Sequence, residues 1–258
     1  MHSIFGTKHL ILIAISFALI AVLFVFSRKM KLSQVFKIAL CVGVASEFIK
    51  IFYYTVRNET THGGILPKTD LPFHLCSIQI LFIVFINYSK NEKIKRMIMS
   101  FMMPSCFFGG IAAILIATNS SLNGMWIITL QYFVYHVAIT VLALRMLFDK
   151  ETSPKLDDYF NCLKFLGVLM FVAFYINSIL YDGTSNINFM YVASPPQEGL
   201  PFLNEDHGWL VYIAHYASLI IFCVSLFYIK PIVLAIKEKL SKKTSLKEAP
   251  ECEESTVS

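Results

Sequence analysis

Seven long apolar segments constrain the fold of this chain more than any other feature of its sequence. A helix needs about 20 mostly apolar residues to cross the hydrocarbon core of a membrane. Only 15% of the residues are charged, whereas soluble domains carry about 25%. The sequence therefore predicts an all-α membrane protein, a bundle of seven transmembrane helices. The segments span residues 9–26, 35–56, 71–89, 97–117, 126–148, 159–181 and 209–229.

These segments predict a single transmembrane domain over residues 1–230. Residues 231–258 are rich first in Lys and then in Glu, and we expect this charged tail to be disordered. The first segment resembles a signal peptide in length, but no small-residue cleavage site follows it. We interpret it as a retained helix.

The Lys and Arg residues are concentrated in alternate loops, which predicts the orientation of the bundle. The loops 27–37, 90–96 and 145–164 and the stretch 230–247 hold 18 of the 22 Lys and Arg residues. Positively charged loops remain in the cytoplasm. We therefore expect the N-terminus outside and the C-terminus in the cytoplasm. The net charge of +5 follows these loops, so it does not indicate nucleic-acid binding.

Several polar side chains lie within or beside the apolar segments, where they are costly to bury and usually functional. At 1.5 Å of helix rise per residue, most of them fall in the outer half of the membrane. The catalytic candidates are Cys76, His74, His136 and His215. The substrate-binding candidates are Glu47, Lys50, Gln79, Gln131, Asn177 and Tyr191.

The stretch LPFHLCSI contains a His and a Cys, but a regular helix does not pair their side chains. His74 and Cys76 are two residues apart and differ by about 200° around a helix axis. They face each other only if the preceding proline makes the start of the helix irregular. We therefore expect the base for Cys76 to come from another helix, as His136 or His215. No cysteine spacing indicates a metal site, and we expect neither a metal nor a cofactor.

Four sequence features resemble the YwaF-like integral membrane proteins of Gram-positive bacteria. They are FGTKHL at Phe5–Leu10, LPFHLCSI at Leu71–Ile78, His136, and NFMYVASPP at Asn188–Pro196. That family is similar, at the level of a superfamily, to an animal transmembrane acyltransferase that moves fatty acyl chains between phospholipids through a cysteine. The resemblance implies a multi-pass protein of the bacterial cell membrane that acts on membrane lipid. It also implies that Cys76 accepts the acyl group and that a His is its base.

Three functions remain open from the sequence. The first is acyl transfer or lipid remodelling at a site in the outer leaflet. The second is transport or small-ligand binding through Glu47, Lys50, His136 and His215. The third is a structural role, because an intramembrane Cys often only packs and an intramembrane His often makes one bond between helices.

Overall fold

The chain is helical throughout its regular structure in the computed structural model, which describes residues 5–56, 66–184, 187–195, 203 and 206–247. No strand occurs within these ranges. The α-helices are α1 Thr7–Ser27, α2 Leu32–Val56, α3 Ile78–Tyr88, α4 Glu92–Leu115, α5 Asn119–Asn123, α6 Trp126–Phe148, α7 Leu156–Leu180, α8 Trp209–Phe227 and α9 Ile229–Lys247. Single 3-10 turns occupy Lys68–Asp70 and Phe189–Tyr191.

Five of the described helices, α1, α4, α6, α7 and α8, are long and apolar enough to cross a membrane. Helix α2 has 25 residues but is not among them, and it carries Lys37, Glu47 and Lys50. Helix α3 has 11 residues and is ~16 Å long, too short to cross a bilayer by itself. The prediction of an all-α, multi-pass membrane protein is confirmed. The count of seven spans and the orientation of the termini stay predictions.

Helix α3 begins at Ile78, whereas the sequence predicts a helical span from residue 71. Residues 71–77 form consecutive turns, in which the Phe73 N–H donates to the Leu71 carbonyl at 2.8 Å. Pro72 prevents a helix from continuing through Leu71, since it has no N–H and disfavours helical geometry in the residue before it; the turns then extend to Ser77. The stretch around Cys76 is therefore a turn segment that leads into a short helix.

The C-terminal part of the chain also differs from its prediction. Where the sequence predicts a disordered tail from residue 231, the structure has α9, Ile229–Lys247. Helix α9 is separated from α8 at Tyr228, whose φ of −94° and ψ of 16° are not helical. Pro231 lies in the first turn of α9, where its missing N–H costs no helical hydrogen bond. Residues 248–258 lie outside the described residues.

Helices α4 and α6 form the centre of the bundle. Their membrane-crossing stretches are 50% and 56% buried, against 11% for α8. They pack extensively on each other, while α1 and α2 pack on α6, and α7 packs on α4. The central pair therefore positions the side chains that the other helices contribute.

A pair of glycines lets α4 approach α6 and the turn segment before α3. A Cβ atom at Gly110 would lie 2.2 Å from Thr140 Oγ1 and 3.1 Å from the His136 carbonyl oxygen. The Thr140 hydroxyl donates to that same carbonyl at 2.7 Å, so it cannot turn away without losing the bond. At Gly109, a Cβ atom would lie 3.4 Å from Cys76 Sγ. Small residues permit such close helix packing in membranes.

The other end of α4 is held by Arg96. Its guanidinium forms a two-pronged ion pair with the buried Asp158 carboxylate at the start of α7. It also donates to the carbonyls of Glu151 at 3.2 Å and Ser153 at 2.8 Å. Bidentate arginine pairs fix geometry as well as supplying energy. Both ends of α4 are thus constrained.

Gly110→Ala is expected to lower the melting temperature of the detergent-solubilised protein. The added methyl group overpacks the contact between α4 and α6, which costs about 1–3 kcal/mol. Adding Thr140→Ala to this variant should recover part of the loss, because the shortest clash disappears.

Gly167→Ala on α7 is the matched control. A Cβ atom there meets nothing within 4 Å, and Ala favours a helix over Gly. Equal melting temperatures for Gly110→Ala and Gly167→Ala would contradict the packing argument.

Candidate functional site

Two separate segments of the chain meet beside the start of α3. They are the turn segment 71–77 and residues 187–195, and we call the place where they meet the loop junction. The Phe189 ring lies 5.4 Å from the Phe73 ring and 5.1 Å from the His74 ring, between centroids. The two stretches LPFHLC and NFMY, distant in the sequence, thus form one structural unit.

Asn177 on α7 holds the second segment of the loop junction. Its Oδ1 accepts from the Phe189 N–H at 2.9 Å, and its Nδ2 donates to the Phe189 carbonyl at 3.2 Å. The next two residues, Met190 and Tyr191, have φ angles of 55° and 53°, a left-handed conformation that residues other than glycine rarely adopt. Contacts with neighbouring helices must therefore stabilise this segment.

Helix α8 supplies part of that stabilisation through aromatic side chains. The Tyr216 hydroxyl donates to the Met190 carbonyl at 2.9 Å, and the Tyr212 hydroxyl donates to the Tyr191 carbonyl at 2.5 Å. Trp209 Nε1 donates to the Val192 carbonyl at 3.1 Å. The backbone of residues 190–192 is therefore hydrogen-bonded to α8 at three successive carbonyls.

Cys76 lies at the base of the loop junction, partly buried. Its carbonyl accepts a hydrogen bond from the Tyr135 hydroxyl at 2.6 Å, which ties the turn segment to α6. Tyr132, Tyr135 and Tyr191 are all close enough to interact electrostatically with the Cys76 thiol. Within the described residues the sulfur makes no hydrogen bond, and a Cβ atom at Gly109 would lie 3.4 Å from it.

His136 is a buried imidazole on α6, directly after Tyr135. Its Nδ1 lies 2.7 Å from the Tyr132 carbonyl. A carbonyl only accepts, so Nδ1 carries a hydrogen, and in the neutral ring Nε2 then keeps its lone pair. The ring lies 4.3 Å from the Tyr132 ring and 5.5 Å from the Tyr135 ring. Cys76 and His136 therefore share two tyrosine neighbours, and Nε2 is the nitrogen through which the neutral His136 can act as a base.

The other two candidate histidines have different surroundings. His74 is part of the loop junction, where its Nε2 lies 3.2 Å from the Thr69 carbonyl and its ring packs beside Phe189 and Tyr191. His215 is exposed on α8, and the described part of the chain gives it no hydrogen bond. The structure thus brings His136 and His74, and not His215, to tyrosines that neighbour Cys76.

His9, in the stretch FGTKHL, was not among the candidates and is fully buried. Its Nδ1 accepts from the Phe5 N–H at 3.0 Å, so its Nε2 donates to the Ile114 carbonyl at 2.9 Å. The preceding Lys8 donates to the Leu122 carbonyl at 2.5 Å. Both ring nitrogens of His9 are occupied, which indicates a structural role in fastening α1 to the end of α4.

Two of the predicted polar candidates are tied to other side chains. Gln79 is fully buried, and its amide nitrogen donates to the Leu75 carbonyl and to Ser105 Oγ, both at 3.0 Å. Its Oε1 has no partner among the described residues. Gln131 accepts a hydrogen bond from the Ser46 hydroxyl through Oε1. Gln79 therefore has no N–H left to donate to a substrate.

Glu47 and Lys50 form a separate cluster on α2. Lys50 Nζ lies 2.8 Å from Glu47 Oε2 and 2.9 Å from the Asp70 carbonyl. Tyr54, one turn further along, lies beside the Asp70 carboxylate. These contacts fasten the end of α2 to the turn Lys68–Asp70. The charge of Lys50 is paired with Glu47, and its other contact is to the backbone. Glu47 and Lys50 therefore have the character of a structural ion pair.

Tyr191 is the candidate donor whose hydroxyl remains available. Burial raises the pKa of Tyr191, and the nearby Cys76 thiol adds to the effect, so the hydroxyl stays protonated at neutral pH. No hydrogen bond to this hydroxyl is found among the described residues, whereas Asn177 already uses its oxygen and one of its two N–H groups on Phe189. Tyr191 can therefore donate a hydrogen bond beside Cys76.

An open cavity of about 510 Å³ lies next to the loop junction, between α7 and α8. Its size is typical of sites for small molecules. Its lining is mainly apolar and consists of Phe174, Asn177, Ser178, Tyr181, Ile187, Ala193 and Trp209. Asn177 belongs both to this lining and to the support of the loop junction.

Sequence reasoning missed two contributors to the environment of Cys76. Tyr135 is one of many aromatic residues in an apolar span, and only its position next to His136 hints at a role. Gly109 and Gly110 are typical close-packing residues, so their sequence does not say which side chains they contact. Within the described residues, no group of three or more His, Cys, Asp or Glu side chains is arranged to hold a metal ion.

The family comparison covers nearly the whole chain. A model of the TMEM164 family matches residues 4–228, a range that includes every candidate residue and ends before α9. No curated protein and no solved structure matches the chain.

Asn177→Ala is expected to loosen the loop junction without unfolding the bundle. It removes both hydrogen bonds to Phe189, so amide hydrogens of residues 189–195 should exchange roughly tenfold faster, as measured by mass spectrometry. Ser178→Ala is the control, because Ser178 is exposed beside Asn177 and lines the same cavity. Unchanged exchange in Asn177→Ala would show that α8 alone holds this segment.

Proposed function

The chain belongs to the TMEM164 family, and on that premise we propose that it transfers fatty acyl groups between membrane lipids through Cys76. One observation supports this proposal more than any other. Cys76 and His136 are packed against consecutive glycines of α4, since a Cβ atom at Gly109 would lie 3.4 Å from Cys76 Sγ and one at Gly110 would lie 3.1 Å from the backbone carbonyl of His136. The residues proposed as nucleophile and base are thus both held against the same turn of α4.

The first half of the reaction forms a thioester. Nε2 of His136 takes the proton from Cys76 Sγ, and the thiolate attacks the carbonyl carbon of a lipid ester. The ester C–O bond then breaks, and the departing oxygen takes the proton back from His136. The products are an acyl thioester at Cys76 and a lipid that has lost one acyl chain.

The second half of the reaction regenerates the thiol. A hydroxyl group of the acceptor lipid gives its proton to His136 and attacks the thioester carbonyl carbon. The C–S bond breaks, and the leaving thiolate takes the proton from His136. The acyl chain has then moved from one lipid to another, and no oxidant, reductant or metal takes part.

Tyr191 supplies the hydrogen bond that the tetrahedral intermediates need. Each intermediate carries a negative oxygen beside Cys76, and one oriented donor of this kind is worth ~3 kcal/mol. Cys76 is partly buried within the loop junction, which limits competing attack by water on the thioester. The cavity beside Asn177 gives an apolar chain a place next to the loop junction.

The proposed topology has seven crossings, with the N-terminus outside and the C-terminus in the cytoplasm. In it, α2 is the second crossing, and the turn segment 71–77 with α3 is the third. The concentration of Lys and Arg in alternate loops supports this arrangement. It places Cys76 in the outer leaflet, and the YwaF-like resemblance supports a bacterial cell membrane as the location.

Cys76→Ser is expected to abolish acyl labelling of the purified protein by an alkyne-tagged phospholipid and to stop acyl exchange between lipids. Cys106→Ser is the matched control, because Cys106 is a fully buried neighbour on α4 and should keep both activities.

His136→Gln should slow labelling by about 10²–10⁴-fold, with partial recovery at high pH as more thiol ionises unaided. Full exchange activity in Cys76→Ser would refute the mechanism.

Thiol labelling in whole cells tests the topology. A cysteine in Thr184→Cys should react with a membrane-impermeant maleimide in intact cells, and one in Lys93→Cys only after the membrane is permeabilised. The parent chain, with its own cysteines, sets the background. Reaction of both variants in intact cells would rule the arrangement out.

A further inference from the structure

Helix α9 carries an apolar stripe that no other part of the described chain covers. Ile229, Val233, Ile236 and Leu240 are separated by four, three and four residues, so they share one side of the helix. Their side chains are 39% to 60% exposed. The helices of the bundle also expose apolar side chains, which face lipid. Helix α9 differs from them because six of its 19 residues are Lys, so it cannot cross a membrane.

The lysines lie where a membrane surface would meet them. Lys230 and Lys237 are roughly 70–90° around the helix on one side of the apolar stripe, and Lys239 is about 90° away on the other. Lys stems can lie along apolar surface while their ammonium groups reach upward into the headgroup layer. An apolar stripe with Lys on both flanks is typical of helices that lie in the membrane interface.

The start of α9 is fixed at the edge of the bundle. Tyr228, which joins it to α8, is fully buried and donates from its hydroxyl to the Ser100 carbonyl of α4 at 2.7 Å. The Tyr228 ring also lies 6.0 Å from the Tyr159 ring of α7. Since α8 is a membrane-spanning helix, α9 begins where α8 leaves the membrane.

We propose that α9 lies on the membrane surface at the end of α8 and binds anionic lipid headgroups there. The stripe inserts between the acyl chains, and the lysines contact phosphate groups of anionic lipids, each Lys adding to the attraction. Six Lys against a single Glu in α9 make anionic lipid the complementary surface. The region matched by the TMEM164 family ends at residue 228, so this surface is a feature outside the family region and independent of chemistry at Cys76.

Hydrogen exchange on the full-length chain tests the proposal. The protein is placed in two kinds of nanodisc. One contains phosphatidylcholine alone, and the other contains phosphatidylcholine with about 30% of the anionic lipid phosphatidylglycerol. We expect the amides of residues 233–247 to exchange about tenfold more slowly in the anionic nanodiscs, and this difference to fall as salt is raised. Amides of α8 should exchange equally in both.

Two variants of α9 and one matched control separate the contributions. Lys230→Glu/Lys237→Glu/Lys239→Glu should abolish the anionic-lipid effect, and Ile236→Gln/Leu240→Gln should reduce protection in both kinds of nanodisc while keeping helix propensity. The control, Lys29→Glu/Lys90→Glu/Lys93→Glu, changes the net charge equally in other loops and should retain the effect. Equal exchange in neutral and anionic nanodiscs, or an effect that survives the α9 charge reversal, would overturn the proposal.

Discussion

The close approach of α4 to α6 at Gly109 and Gly110 is the constraint on which the rest of the structure depends. A side chain at Gly110 would push against Thr140 and the His136 backbone, and separating the two helices would move Tyr132 and Tyr135 away from Cys76. The ion pair between Arg96 and Asp158 holds the opposite end of α4. The packing of α4 against α6 therefore decides which side chains of the other segments come close to Cys76.

Three separate segments of the chain contribute the residues that surround Cys76. The turn segment after Pro72 carries the thiol, α6 carries two tyrosines and an imidazole, and residues 187–195 carry Tyr191. Only the first of these is visible as a local sequence pattern. In a membrane protein the burial of polar groups is costly unless they are hydrogen-bonded, and most of the side chains involved here do have backbone partners.

The sequence predicted the helical membrane class, the apolar segments and Cys76 as a candidate, because these depend on composition and local pattern. It could not choose between His136 and His215. Depth in the membrane follows from residue number, but the direction a side chain faces depends on how helices pack, and His215 is exposed. The late start of α3 and the helix α9 were also missed. At the start of α3, Pro72 lies within an otherwise apolar segment. In α9, the many lysines make the four-residue apolar stripe hard to recognise in the sequence.

Asn177 belongs to two features at once, since it lines the cavity between α7 and α8 and hydrogen-bonds the backbone next to Tyr191. The same side chain is therefore a wall of the cavity and a support of the backbone that carries Tyr191. By thermodynamic reciprocity, a molecule that binds the cavity more tightly in one conformation of residues 189–191 also favours that conformation. A single amide thus joins the wall of a lateral cleft to the segment opposite the turn that bears the thiol.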